Sequence, residues 1–143
     1  MKKTNRVLAC FLICLLCVGL SVPAFAGTCA SDYLSNYYAW CSQGDDDEVV
    51  VEFSVEATDI MDYVGVTLIR FQVYSGGSWS TVHTKVGSVA NGLLSSNDDY
   101  HAGTYTYTSA TTGQTYRALV TVYAADEYGS DSRTVTTNSV VAP

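Results

Sequence analysis

The stretch VVVEFSVEA, residues 49–57, decides the class of fold. Apolar side chains stand at every second position from Val49 to Ala57, and Glu52, Ser54 and Glu56 stand between them. Successive side chains of a β-strand point to opposite faces, so this alternation predicts a strand with one face in a core and the other in water.

Alternating segments recur on the C-terminal side of this strand. Residues 67–74 and 79–86 flank the turn residues 75–78 and predict a hairpin. The side chains of its first strand that we expect on one face are Thr67, Ile69, Phe71 and Val73. Further strands are predicted at residues 100–108, 114–125 and 132–141. In the second of these, the expected core residues are Tyr116, Ala118, Val120, Val122 and Ala124.

The segment before the first strand is ambiguous. Residues 32–41 fit irregular structure leading into a short strand, but Tyr33, Tyr37 and Trp40 also have helical spacing. Either way, six to seven short strands with turn-rich links predict an all-β, antiparallel sandwich. The length of residues 27–143 suits a single domain.

Residues 1–26 predict a cleaved signal peptide. Lys2, Lys3 and Arg6 precede an apolar run over residues 7–22, and Ala24-Phe25-Ala26 is the small-x-small pattern that signal peptidases cut. An uncut membrane anchor is the alternative, although the run is short for a span. We therefore expect a secreted protein, free outside the cell or loosely associated with the cell wall.

Removal of this segment leaves a strongly acidic chain. It contains three of the seven Lys and Arg residues and none of the fourteen Asp and Glu residues. Binding to phosphates or to anionic lipid depends on Lys and Arg, so we expect neither nucleic acid nor a membrane as a partner. Two cysteines remain, Cys29 and Cys41, and an even pair outside the cell predicts a disulfide bond.

Two resemblances support the fold and the location. Residues 116–124, YRALVTVYA, followed by Gly129, resemble the last hairpin of fibronectin type III and related immunoglobulin-like sandwiches. The resemblance implies an immunoglobulin-like sandwich of six to seven strands, in which Tyr116 hydrogen-bonds the preceding corner. Residues 61–65 (MDYVG), 77–79 (GSW), 115–118 (TYRA) and 129–133 (GSDSR) are similar to small secreted proteins of Gram-positive, clostridial-type bacteria. That second resemblance implies no activity.

The sequence carries no convincing catalytic set, and we predict that the protein is not an enzyme. His83 is expected on a solvated face. His101 follows Asp98 and Asp99, which makes a carboxylate–imidazole pair conceivable, but no nucleophile elbow accompanies it.

Loops of the predicted sandwich suggest a calcium site. Residues 57–62, 87–99 and 126–131 would meet at one end if the strands follow the fibronectin order. Oxygen ligands from separate loops can hold calcium. The candidate ligands are Asp59, Asp62, Asp98, Asp126 and Asp131, beside Asp99 and Glu127; the alternative is that these acids are only solvated.

Tyrosines at the same end suggest a recognition surface. Tyr63, Tyr100 and Tyr128 stand among Ser, Gly, Asn and Asp, a composition typical of binding loops. Strand tyrosines such as Tyr105, Tyr107 and Tyr123 could instead stack on sugar rings if they share an exposed face. The sequence thus predicts a secreted, non-catalytic module for a protein or glycan ligand, with a self-associating structural protein or a small effector as alternatives.

Overall fold

The computed structural model describes residues 31–143, which form an antiparallel β-sandwich. The three-stranded sheet has the order β1-β2-β6, with β1 at Leu34–Gln43, β2 at Val49–Met61 and β6 at Asp98–Tyr107. The second sheet has the order β4-β3-β7-β8, with β3 at Tyr63–Ser75, β4 at Ser78–Val86, β7 at Thr115–Ala125 and β8 at Ser130–Thr136. Two-residue strands, β5 at Leu94–Ser95 and β9 at Val140–Val141, pair with β3 and β7.

This order confirms the predicted immunoglobulin-like class. It matches sheets A-B-E and C′-C-F-G of that fold, with seven long strands in the described residues. A three-residue 3₁₀ helix, Val89–Asn91, precedes β5. In residues 31–143, no helix is long and apolar enough to cross a membrane. The predicted signal peptide, residues 1–26, lies outside the described residues, as does Cys29.

The core consists of the side chains that the alternation predicts. From β2, Val49, Val51, Phe53 and Val55 are at most 2% exposed. The predicted core residues of β7, from Tyr116 to Ala124, are at most 3% exposed. The two sheets therefore meet through one continuous apolar layer, which stabilises the sandwich by removing apolar surface from water.

A β-bulge changes the predicted pattern in β3. Pairing with β7 skips Thr67, so that Val66 faces Val122 and Leu68 faces Thr121. The extra residue reverses which side chains point inward. Val64 and Val66 are buried before the bulge, and Ile69 and Phe71 after it, whereas Thr67 is only half-buried. The prediction that Thr67 shares one face with Ile69 and Phe71 was therefore wrong.

The first strand is longer than predicted. Residues 34–43 form one ten-residue strand, so the helical alternative for residues 32–41 was wrong. This strand lies at the edge of its sheet, and only Leu34, Ala39 and Cys41 are buried. An edge strand with so few buried side chains has a weak alternating pattern, which explains the ambiguity.

Two predicted turns have the expected geometry. Gly76 and Gly77, between β3 and β4, have φ of 60° and 84°, a left-handed conformation that glycine adopts without strain. The hydroxyl of Tyr116 accepts a hydrogen bond of 2.9 Å from the Thr111 amide, in the corner between β6 and β7. The corner contact implied by the fibronectin-like resemblance is thus present.

Asn138 joins the two sheets along one side of the sandwich. Its Oδ1 accepts from the Cys41 amide, and its Nδ2 donates to the Cys41 carbonyl, each at 2.8 Å. These are the backbone groups that an edge strand leaves without a partner strand. The predicted strand over residues 132–141 is interrupted here, because the Thr137 hydroxyl rather than a backbone carbonyl accepts from the Ala118 amide.

Cys41 lies beneath this connection. Its side chain is buried, the Thr137 hydroxyl lies 3.1 Å from its Sγ, and burial raises the pKa of its thiol. Residues 31–143 contain no disulfide bond. Because Cys29 lies outside these residues, the Cys29–Cys41 pairing stays a prediction.

An aromatic stack closes the opposite side, between β4 and β6. The His83 ring stacks on Tyr105 and Tyr107, with 5.2 Å between the His83 and Tyr107 centroids, and its Nε2 lies 3.0 Å from the Tyr105 hydroxyl. Phe71 packs beneath these rings from the core. The expectation of a solvated His83 was therefore wrong, because strand pairing turns its ring toward β6.

Candidate functional site

The turns that carry the predicted site residues do lie at one end of the sandwich. Pairing of Met61 with Asp98 places the β2–β3 turn beside the β5–β6 turn. Pairing of Tyr63 with Ala125 adds the β7–β8 turn. The three turns are therefore neighbours.

The carboxylates at this end hold local turns. Asp98 accepts from the Ser95 hydroxyl and from the amide of Asp99, and Asp59 accepts from the amide of Ile60. Asp126 Oδ1 accepts from the amides of Tyr128 and Gly129, and Asp131 pairs with Arg133 at 2.7 Å. Within the described residues, no group of three or more His, Cys, Asp or Glu side chains is arranged to hold a metal ion. The calcium site stays a prediction.

A shallow groove of about 460 Å³ is present at the same end. Its lining includes Asp62 and Tyr63 from the β2–β3 turn, Val89 from the 3₁₀ helix, and Ser96 and Asn97 from the β5–β6 turn. Of the predicted site residues, Asp62 and Tyr63 thus line the groove.

The other two candidate tyrosines lie apart from this groove. Tyr128 is at the tip of the β7–β8 turn, with 84% of its surface exposed. Tyr100 lies within β6, opposite Glu56, and its hydroxyl is 3.4 Å from Ser54 Oγ on β2. Tyr100 therefore belongs to the sheet face rather than to the end.

The carboxylate–imidazole pair considered from the sequence is not formed. His101 Nε2 lies 2.8 Å from the Gly92 carbonyl oxygen, and the His101 ring packs against Phe53. The Asp98 carboxylate is engaged by Ser95 instead. These contacts give His101 a role in holding the loop before β5.

The strand tyrosines named from the sequence do not share one face. Tyr105 and Tyr107 pack toward the core beside His83. Tyr123 is on the outer face of the second sheet, since its neighbours Val122 and Ala124 are buried. The glycan hypothesis therefore needs a different set of aromatic side chains.

The outer face of the three-stranded sheet provides such a set. Tyr38 and Trp40 on β1 and Tyr100 on β6 point away from the core and are 55%, 56% and 50% exposed. The register places Tyr38 opposite Ser54 and Trp40 opposite Glu52. We call this surface, made of Tyr38, Trp40, Glu52, Ser54, Glu56, Tyr100 and Thr104, the aromatic face.

The sheet sets the spacing of the three residues that carry the rings of the aromatic face. Tyr38 and Trp40 are two residues apart on one strand, so their Cα atoms are separated by about 7 Å. Tyr100 is two strands away, at about 10 Å across the sheet. Hydroxyl and carboxylate groups of Ser54, Glu52 and Glu56 lie between the rings. Aromatic rings and polar groups are thus neighbours on this face.

Sequence reasoning missed two of these three aromatic residues. Tyr38 and Trp40 alternate with Ala39 and Cys41, which is a strand pattern with the aromatic rings on the outer side. That signal was present, but the helical spacing of Tyr33, Tyr37 and Trp40 obscured it.

The comparisons with known proteins add no family. The sequence matches no protein-family model. It also has no significant match among curated proteins. The functional argument therefore rests on the fold and on the surfaces that the described residues form.

Proposed function

We propose that the protein is a secreted, non-catalytic module that binds a polysaccharide on its aromatic face. The observation that carries this proposal is the exposure of Tyr38, Trp40 and Tyr100 on one sheet face, beside Glu52 and Glu56. Burial of such rings against a ligand is favourable by about 25 cal/mol per Å² of apolar surface removed from water.

The distribution of these rings supports a sugar polymer over a protein partner. Protein interfaces have cores depleted of charge, in which buried aromatic anchors cluster. Here Glu52 lies directly opposite Trp40, and Ser54 lies between Tyr38 and Tyr100. A sugar ring has an apolar face for stacking and hydroxyl groups at its edge. Such a ligand can contact an aromatic ring and a neighbouring carboxylate at once.

Charge narrows the class of polysaccharide. Among the seven residues that define the aromatic face, Glu52 and Glu56 carry the carboxylates, and the chain carries fourteen acids overall. Carboxylates repel a polyanion and accept hydrogen bonds from hydroxyl or ammonium groups. The proposed ligand for this face is therefore a neutral or amine-bearing glycan.

Sedimentation with insoluble polysaccharides tests the proposal. The purified protein is mixed with cellulose, chitin and isolated cell-wall polysaccharide, and the bound fraction is measured. We expect retention on at least one of them, and Trp40→Ala should weaken it at least tenfold, which corresponds to about 1.4 kcal/mol. Tyr128→Ala is the matched control, because it removes an exposed ring at the end of the sandwich.

Three results would count against the aromatic face. Retention on none of the three materials contradicts glycan binding. Loss of retention with Tyr128→Ala but not with Trp40→Ala would place the site at the loop end. The self-associating alternative would be favoured if light scattering found oligomers whose size increases with protein concentration and the protein were retained on no glycan. Unchanged melting temperatures show that the variants remain folded.

A further inference from the structure

The outer face of the second sheet has a different chemistry from the rest of the molecule. Strands β3, β4 and β7 contain no Asp or Glu residue, although the chain has fourteen. On this face lie Arg70 of β3 and Arg117 of β7, next to the buried inward-facing residues Ile69, Phe71 and Ala118. Among residues 31–143 of this acidic protein, Arg70 and Arg117 are thus the only ionised side chains that the register places on this face.

Arg117 is held in a prepared position. Its Nε donates a hydrogen bond of 2.9 Å to Gln72 Oε1, and its guanidinium lies 4.2 Å from the centre of the Trp79 ring. Trp79 in turn packs on Tyr74, with ring centroids 5.1 Å apart, and Tyr74 is 45% exposed. Because Nε is used within the protein, the terminal nitrogens of the guanidinium remain the donors for a ligand.

Arg70 is a second cation beside the first. Arg70 pairs across the sheet with Leu119 and Gln72 with Arg117, which makes the two arginines diagonal neighbours. The Nε–H of Arg70 is buried without an acceptor among residues 31–143. A buried donor without a partner and a like charge nearby are both unfavourable. An anion at the terminal nitrogens of the two guanidinium groups would offset the repulsion between their charges.

The remaining basic residues of the described chain are already engaged. Arg133 pairs with Asp131 at 2.7 Å, and the Lys85 ammonium lies 5.5 Å from the Tyr105 ring centre. Arg70 and Arg117 have no carboxylate partner among residues 31–143. No carboxylate of the described residues therefore neutralises their charge.

We infer that Arg70, Arg117 and the adjoining Tyr74 and Trp79 form a second binding site, for a carboxylate-bearing sugar within an otherwise neutral glycan. The planar guanidinium matches a carboxylate through paired hydrogen bonds. In a uronic acid the carboxylate is attached to the sugar ring, so Arg117 can hold the acid while Tyr74 contacts the ring. The acidity of the whole protein disfavours a dense polyanion, which leaves isolated carboxylates as the best match.

Binding to glucuronoxylan tests this site. Its xylan backbone is neutral and carries isolated glucuronic acid branches. We expect the wild type to bind it, and to bind the same polymer after carboxyl reduction at least tenfold more weakly. Arg70→Gln and Arg117→Gln should each weaken binding at least fivefold. Arg133→Gln is the matched control, because it removes the same charge outside this face and should change binding less than twofold. Binding should also weaken as salt is added.

Other outcomes overturn the inference. The site would be refuted if the wild type did not bind glucuronoxylan, or bound the carboxyl-reduced polymer equally well. It would also be refuted if Arg133→Gln weakened binding as much as Arg70→Gln or Arg117→Gln. Tighter binding to a phosphorylated mannan than to glucuronoxylan would reject the carboxylate assignment. Concentration-dependent association that is lost with Arg117→Gln would assign the face to a second copy of the chain.

This site is separate from the aromatic face, so the two proposals fail independently. Trp40→Ala should leave the difference between glucuronoxylan and its reduced form intact. Arg117→Gln should leave retention on the neutral polysaccharides intact. If Trp40→Ala abolished the preference for the acidic polymer, both ligands would occupy one site and the second site would be refuted.

Discussion

Replacement of Asn138 by alanine should destabilise the protein by about 2 kcal/mol. The change removes two hydrogen bonds of 2.8 Å, one from the Cys41 amide and one to the Cys41 carbonyl. Each such bond contributes about 1 kcal/mol net, and the loss increases if the freed backbone groups stay shielded from water. Cys41 lies in the edge strand β1, so no other strand can replace Asn138 there.

Thermal unfolding followed by circular dichroism measures this effect. For a domain of this size, a loss of about 2 kcal/mol lowers the melting temperature by about 8 °C. Asn138→Asp keeps the acceptor for the Cys41 amide but places a carboxylate oxygen against the Cys41 carbonyl, so we expect a loss at least as large as that of Asn138→Ala. Ser139→Ala changes an exposed neighbour and should shift the melting temperature by less than about 2 °C. A drop of under about 2 °C for Asn138→Ala would refute the role of Asn138 in joining the sheets.

Three further predictions concern the corner, the core and the acidic end. Tyr116→Phe removes the acceptor of the Thr111 amide and should lower the melting temperature by about 4 °C; an unchanged value would contradict the corner contact. A Cβ on Gly103 would lie 2.9 Å from Phe53 Cζ, so Gly103→Ala should cost about 1–3 kcal/mol in urea unfolding, and a neutral effect would be inconsistent with this packing. Added calcium should raise the melting temperature if Asp126, Asp131 and their neighbours form the predicted calcium site, and chelator should reverse the increase; an unchanged melting temperature would contradict that site.

The core could be predicted from the sequence because burial on one side of a strand imposes alternation. Phe53 and Val120 are buried as expected, and Tyr116 contacts the corner as its position before β7 implied. The reversal at Thr67 could not be predicted, because a bulge depends on the pairing between β3 and β7 rather than on the sequence of either strand.

The candidate surfaces were harder to predict because they depend on register. Tyr38 and Tyr100 are 62 positions apart in the chain and share a face only because both β1 and β6 pair with β2. Arg70 and Arg117 likewise become neighbours through the pairing of β3 with β7. Composition indicated an acidic protein, but it contained no information on the separation of these two arginines from the carboxylates.

Tryptophan fluorescence tests the central claim most directly, because the chain has two tryptophans, one on each outer face. Trp79→Phe leaves Trp40 as the only tryptophan, and Trp40→Phe leaves Trp79. Each variant is titrated with soluble hexasaccharides of cellulose, chitin and xylan, and the emission is recorded. The account predicts that at least one neutral oligosaccharide changes the emission of Trp40, and that this change saturates as its concentration rises. The emission of Trp79 should stay constant. Glycan binding on the aromatic face would be contradicted if none of the three oligosaccharides altered the emission of Trp40. A response confined to Trp79 would contradict it as well.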